Sequence, residues 1–181
     1  MSVDRAPATI HAVGPEDLPF TLASLRAAYA GGVTPRSVIT ALLERLTRID
    51  DPGIFIHLED AQALLSQADA LGPFDPARPL WGVPFAVKDN IDVAGMPTTA
   101  GCDAFTRYPK ADAFAVARLR EAGAIPIGKT NLDQFATGLV GTRTPWPVPR
   151  NALDPAIVPG GSSSGSAVVV AHGVVPFALG T

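Results

Sequence analysis

A glycine and serine run, Pro159-Gly160-Gly161-Ser162-Ser163-Ser164-Gly165-Ser166, opens directly into the apolar segment 167–171. Glycines let the chain turn tightly and let a ligand approach the backbone, and a helix starting here would aim its unpaired N–H groups at that ligand. The run therefore predicts a polar pocket floor. A flexible Gly/Ser linker is the competing reading. The flanks argue against it, because Asp154-Pro155 stands on one side and a continuous apolar segment on the other.

The rest of the chain reads as alternating helices and strands. Residues 1–16 are polar and unpatterned, and 17–181 form one unit. Helices are predicted over 18–30 and 35–49; in the second, Val38, Leu42, Leu43 and Leu46 fall at helical spacing behind a Thr34 cap and Pro35. A short strand over 54–58 precedes a helix over 59–71 that Gly72-Pro73 ends. The apolar strand 82–87 runs into Lys88-Asp89-Asn90. A helix over 113–122 stops at Gly123 and leads into a strand over 124–127, and the chain closes with a helix from Ser164 and a strand over 174–179. Strand, helix, strand in this order argues for an α/β sheet.

Composition narrows the function classes. A formal charge of −3 offers no basic field for nucleic acid. No apolar run is long enough to cross a bilayer, and the start lacks an export signal. The single cysteine, Cys102, excludes an internal disulfide and fits a reducing compartment, so a cytoplasmic protein is expected. We read Cys102 as a small packed residue after Gly101 rather than a nucleophile. No cluster of His, Cys and carboxylate has metal-ligand spacing, and neither metal nor organic cofactor is expected.

Two motif matches fail on context. Gly123 to Thr130 satisfies the letters of a phosphate-binding P-loop, but a helix rather than a strand precedes it and its interior is strand-like. Lys129 is therefore expected to be an ordinary strand-end residue. Gly161-Ser162-Ser163-Ser164-Gly165 matches the nucleophile elbow of α/β-hydrolases, which needs a histidine base from later in the chain. His172 lies about two turns along the same predicted helix and cannot fold back onto its start. His11 and His57 have no partner pattern around them.

Lys88 is the more informative residue. Desolvation at the end of a buried strand disfavours the ammonium and would leave an amine able to act as a base. Alternatively the side chain reaches solvent, or pairs with Asp89, Asp92 or another carboxylate. Combined with the serine run, a neutral lysine and a serine hydroxyl can pass protons to and from a second serine without histidine.

Four stretches carry a resemblance: Gly82 to Asp92, Thr98-Thr99-Ala100-Gly101, Gly128-Lys129-Thr130-Asn131 and Pro159-Gly160-Gly161-Ser162-Ser163. In that order and spacing the sequence resembles the amidase signature family, over about residues 15–181. Within the family, Thr130 to Arg143 looks most like the allophanate hydrolases. The resemblance implies an α/β amidase-signature fold with a mixed central sheet covered by helices on both faces, truncated here, so that 17–181 is the N-terminal part of an amidase domain. It implies a Ser-cisSer-Lys site with Lys88 as base and Ser162 as the bridging serine after a cis peptide. Ser163 would help hold the loop and, with the backbone around Ala136 to Gly138, line the substrate.

In the family the attacking serine and the oxyanion donors follow the motif Gly180-Thr181. The 181 residues are thus expected to carry the proton relay alone, to be inactive by themselves, and to expose an aggregation-prone edge at 174–179. The implied partner is a small-molecule amide, allophanate, cleaved to ammonia and carbon dioxide, with no nucleic acid or membrane and with a homo-oligomer left open. The alternatives are an amidase like the glutamine amidotransferase subunits that resemble these enzymes, and a non-catalytic module using the Gly/Ser loop as an anion site.

Overall fold

The computed structural model describes residues 17–181; the polar segment 1–16, with His11, lies outside the described residues. Helices α1 (Leu22–Ala30) and α2 (Pro35–Ile49) lead to strand β1 (Phe55–Leu58), helix α3 (Ala61–Ala70) and strand β2 (Pro84–Lys88). Helix α4 (Phe114–Glu121), strand β3 (Ile125–Thr130), helix α5 (Ser164–Ala171) and strand β4 (Ala178–Leu179) complete the order. The ends follow from capping. Thr34 Oγ1 accepts from Ser37 N–H at 3.2 Å ahead of Pro35, and the Asp60 carboxylate accepts from Gln62 and Ala63 N–H at 2.8 and 3.2 Å. Thr21 caps α1 through Ser24 N–H, so that helix begins at Leu22 rather than at 18.

The sheet runs β1-β3-β2-β4, with β1 antiparallel to β3 and the other two pairings parallel. It is therefore mixed, as the family resemblance implies. Pro126 can sit in a central strand because the register with β2 slips beside it, where a missing N–H costs little. Gly128 lets β1 approach: a Cβ there would meet the His57 carbonyl at 2.5 Å.

Alternation along β2 sends side chains to both faces. Phe85 and Val87 pack with Val93, Met96 and Val116 of α4, whereas Ala86 joins Ile39, Leu42, Leu64, Val168 and Val169 from α2, α3 and α5. Helices thus cover the sheet on both sides. Each fully buried aliphatic side chain in these layers is worth about 1.5–3 kcal/mol of transfer free energy, which holds the carboxyl ends of β2 and β3 in fixed relation.

The expected strand over 174–179 is mostly a turn. Gly173 adopts φ 65° after α5, and Val174 N–H returns to Val169 O at 3.2 Å. Val174 and Val175 are buried in the core rather than exposed on the expected sheet edge, and only Ala178–Leu179 pair with β2. Among the described residues no helix is long and apolar enough to cross a membrane.

Candidate active site

Strand β2 delivers Lys88 to the carboxyl end of the sheet, where its side chain has 0% exposure. Its Nζ donates to Ser162 Oγ at 2.7 Å and to Thr181 Oγ1 at 2.6 Å. Burial pushes the amine below the usual lysine value, and the Asp133 carboxylate pulls it partly back. A neutral amine reverses the first contact, with the Ser162 hydroxyl donating to the nitrogen lone pair. The geometry can therefore move a proton between oxygen and nitrogen.

Ser162 is held by the loop, not by a helix. The Gly161–Ser162 peptide is cis. Gly160 and Gly161 N–H donate to Val140 O and Leu139 O at 3.1 and 3.0 Å, and Asp133 N–H donates to Ser162 O at 3.0 Å. Ser163 Oγ bridges Thr181, accepting its N–H at 3.3 Å and donating to its carbonyl at 3.4 Å. Behind the loop, Ser166 Oγ lies 2.8 Å from Leu179 O and Gly165 N–H reaches Asn131 O at 3.0 Å, seating α5 under the site.

Asn131 ties the distant loops together by using every hydrogen-bonding position of its amide. Its Nδ2 donates to Gly53 O and Pro147 O, and its Oδ1 accepts from Leu132 N–H and Thr144 Oγ1, all between 2.7 and 3.0 Å.

Ala136 and Gly138 both contact Asp133, in different settings. Ala136 ends the turn Gln134–Ala136, and it and Phe135 both have positive φ, 58° and 52°. Phe135 N–H donates to Ala100 O at 2.8 Å, which docks this turn on the 98–101 turn. Gly138 is buried on the Asp133 carboxylate, which any Cβ would overlap.

Lys129 departs from its sequence expectation. It is fully buried within β3, with its Nζ donating to Pro97 O and Thr98 Oγ1 at 2.9 Å each and standing 3.3 Å from Asp89 Oδ1. Asp89, the neighbour of Lys88, is therefore Lys129's partner. Sequence reasoning also passed over Asp133 and the Thr181 contact, although Asp133 lies within Thr130 to Arg143 and Thr181 ends the motif Gly180-Thr181. Among the described residues no group of three His, Cys, Asp or Glu could hold a metal ion.

A family model described as Amidase matches residues 37–181. Over 103 residues the chain is 63% identical to the urea amidolyase of Saccharomyces cerevisiae, covering 57% of this chain and 6% of that protein. It is 50% identical over 149 residues to one polypeptide of the glutamyl-tRNA(Gln) amidotransferase of Nitratidesulfovibrio vulgaris, covering 78% of this chain and 30% of that one. Among solved structures, a Kluyveromyces lactis allophanate hydrolase superposes with a TM-score of 0.79 at 42% identity, over 90% of this chain and 27% of the other. The chain thus spans less than a third of each of these relatives.

Proposed function

Because the chain belongs to the amidase family, we propose that it forms the proton-relay portion of an amide hydrolase whose substrate is allophanate. The observation that carries this reading is the 2.7 Å contact between the buried Lys88 amine and Ser162 Oγ, made without any histidine. In the proposed reaction the attacking hydroxyl belongs to a serine outside these 181 residues, as the family resemblance implies. That hydroxyl gives its proton to Ser162 Oγ as Ser162 gives its own to Lys88, and the oxygen bonds to the amide carbon. Lys88 then returns a proton through Ser162 to the departing nitrogen, and water releases the acyl group.

Ser163, by its contacts with Thr181, holds the loop, and the backbone at Ala136 to Gly138 borders the amide. Allophanate is favoured because the chain superposes with a TM-score of 0.79 at 42% identity on an allophanate hydrolase, over 90% of its length. The free cysteine, Cys102, fits a reducing, cytoplasmic setting.

A chimera tests the assignment: residues 1–181 replace the matching N-terminal part of the Kluyveromyces lactis allophanate hydrolase, and ammonia release is measured with allophanate and with glutamine. Allophanate turnover that disappears in Lys88→Met and Ser162→Ala is expected. A folded chimera that hydrolyses only glutamine, or keeps its activity in both variants, refutes the proposal. Amide turnover by the 181-residue chain alone would show that the attacking group lies within it.

A further inference from the structure

The Asp133 carboxylate is fully buried, yet among the described residues no cation stands within ion-pairing distance of it. Its partners are backbone. Oδ2 accepts from Gly141 N–H at 3.0 Å and Oδ1 from Arg143 N–H at 2.8 Å, while its own N–H donates to Ser162 O at 3.0 Å. Two glycines make room for it: a Cβ on Gly138 or on Gly161 would overlap the carboxylate. One side chain therefore touches the 138–143 loop and the residue immediately before Ser162.

We propose that Asp133 is a positioning residue for the Lys88–Ser162 pair, a charged peg on which the 138–143 and 160–162 loops are both seated. The inference rests on the reading of Lys88 and Ser162 as a proton relay. Neutral side chains of the same shape would keep the packing but would present an N–H to one of the two backbone donors, unseating one loop. The negative charge also serves the reaction, because Lys88 becomes an ammonium in a buried place each time it takes a proton, and a fixed carboxylate lowers the cost of that charge.

Other charges near the end of β2 are already matched. Asp89 pairs with Lys129 at 3.3 Å, and Asp92 with Arg107 at 2.7 Å. Asp133 is accordingly the carboxylate whose charge acts on the Lys88 amine, against the effect of burial.

The test reads Lys88 itself and needs no turnover. The 181-residue chain, labelled with carbon-13 lysine, is titrated with the Lys88 Cε signal assigned by its loss in Lys88→Arg. In Asp133→Asn the Lys88 midpoint should fall further below that of the parent chain. A midpoint that stays or rises in a variant with a dispersed, folded spectrum overturns the proposal, since a loosened loop admitting water would raise it. Should Asp133→Asn fail to fold, Gly138→Ala carries the test, because it keeps the charge and displaces the carboxylate. Altered Lys88 Cε and Ser162 amide signals are then expected, and signals identical to the parent overturn the idea. Failure of the chimera to cleave allophanate would leave these titrations untouched, so the two readings fail separately.

Discussion

Replacing Lys129 by Met should be among the most destabilising single changes in this chain. Both members of the Lys129–Asp89 pair have 0% side-chain exposure and stand 3.3 Å apart. The ammonium also satisfies Pro97 O and Thr98 Oγ1, and Asp89 Oδ2 accepts from Thr99 N–H at 2.9 Å, so the pair pins the 97–99 segment to the sheet. Burial lowers the Lys129 pKa while Asp89 raises it, which is the signature of a desolvated ion held by its partner.

Met keeps most of the volume and removes the charge, stranding a buried carboxylate and a carbonyl. Breaking one side of such a pair costs about 3–5 kcal/mol, a large fraction of the roughly 5–15 kcal/mol that holds a domain together. At about 2–4 °C per kcal/mol for a chain of this size, the midpoint should fall by roughly 6–20 °C. Urea unfolding followed by circular dichroism, on Lys129→Met, Asp89→Asn and the double variant, measures the loss and the coupling. The double variant should recover stability relative to the sum of the singles, because no uncompensated charge remains. A loss below about 1 kcal/mol for Lys129→Met, or strict additivity, would refute the account of a tightly coupled buried pair.

In the chimera, Lys88→Met and Ser162→Ala should each lower allophanate turnover by about 10²–10⁴-fold while leaving the fold intact, as expected for loss of a proton-transfer group; steady-state rates and circular dichroism check both halves. Activity should rise with pH through the folded-state pKa of Lys88, which lies below the ordinary 10.5, because only the neutral amine accepts a proton. Since that folded value is below the unfolded one, the contribution of Lys88 to stability should also rise with pH between the two values, and chemical unfolding across alkaline pH in parent and Lys88→Met shows it as a difference in slope. Asn131→Ala should cost about 2 kcal/mol or more, since four partners lose their bonds at once; a change under half of that in urea unfolding would show that water replaces them freely.

Much of this architecture is local and could be read from residue order. Thr34-Pro35 caps α2, the apolar run 84–87 makes a buried strand, and the glycines at 160 and 161 turn the chain ahead of α5, each because a few neighbours decide backbone geometry. The serine at 162 and the lysine at 88 were likewise legible, as a polar loop and an amine at the end of an apolar strand. What residue order left open was which charge meets which.

Asp89 adjoins Lys88, but successive side chains of an extended segment leave on opposite sides. Lys88 consequently meets Ser162, while Asp89 meets Lys129 from the adjoining strand. The length of β4 was equally a tertiary matter: Val174 and Val175 look like strand, yet a β-rich segment pairs only where a neighbour offers its edge, and β2 does so at 178–179. The part of Asp133 belongs to the same class, since a carboxylate under two glycines 23 residues apart in the chain, Gly138 and Gly161, becomes visible only when packing brings those loops together. Short-range stereochemistry thus set the elements of this protein, and burial in a shared core chose the partners of its charges.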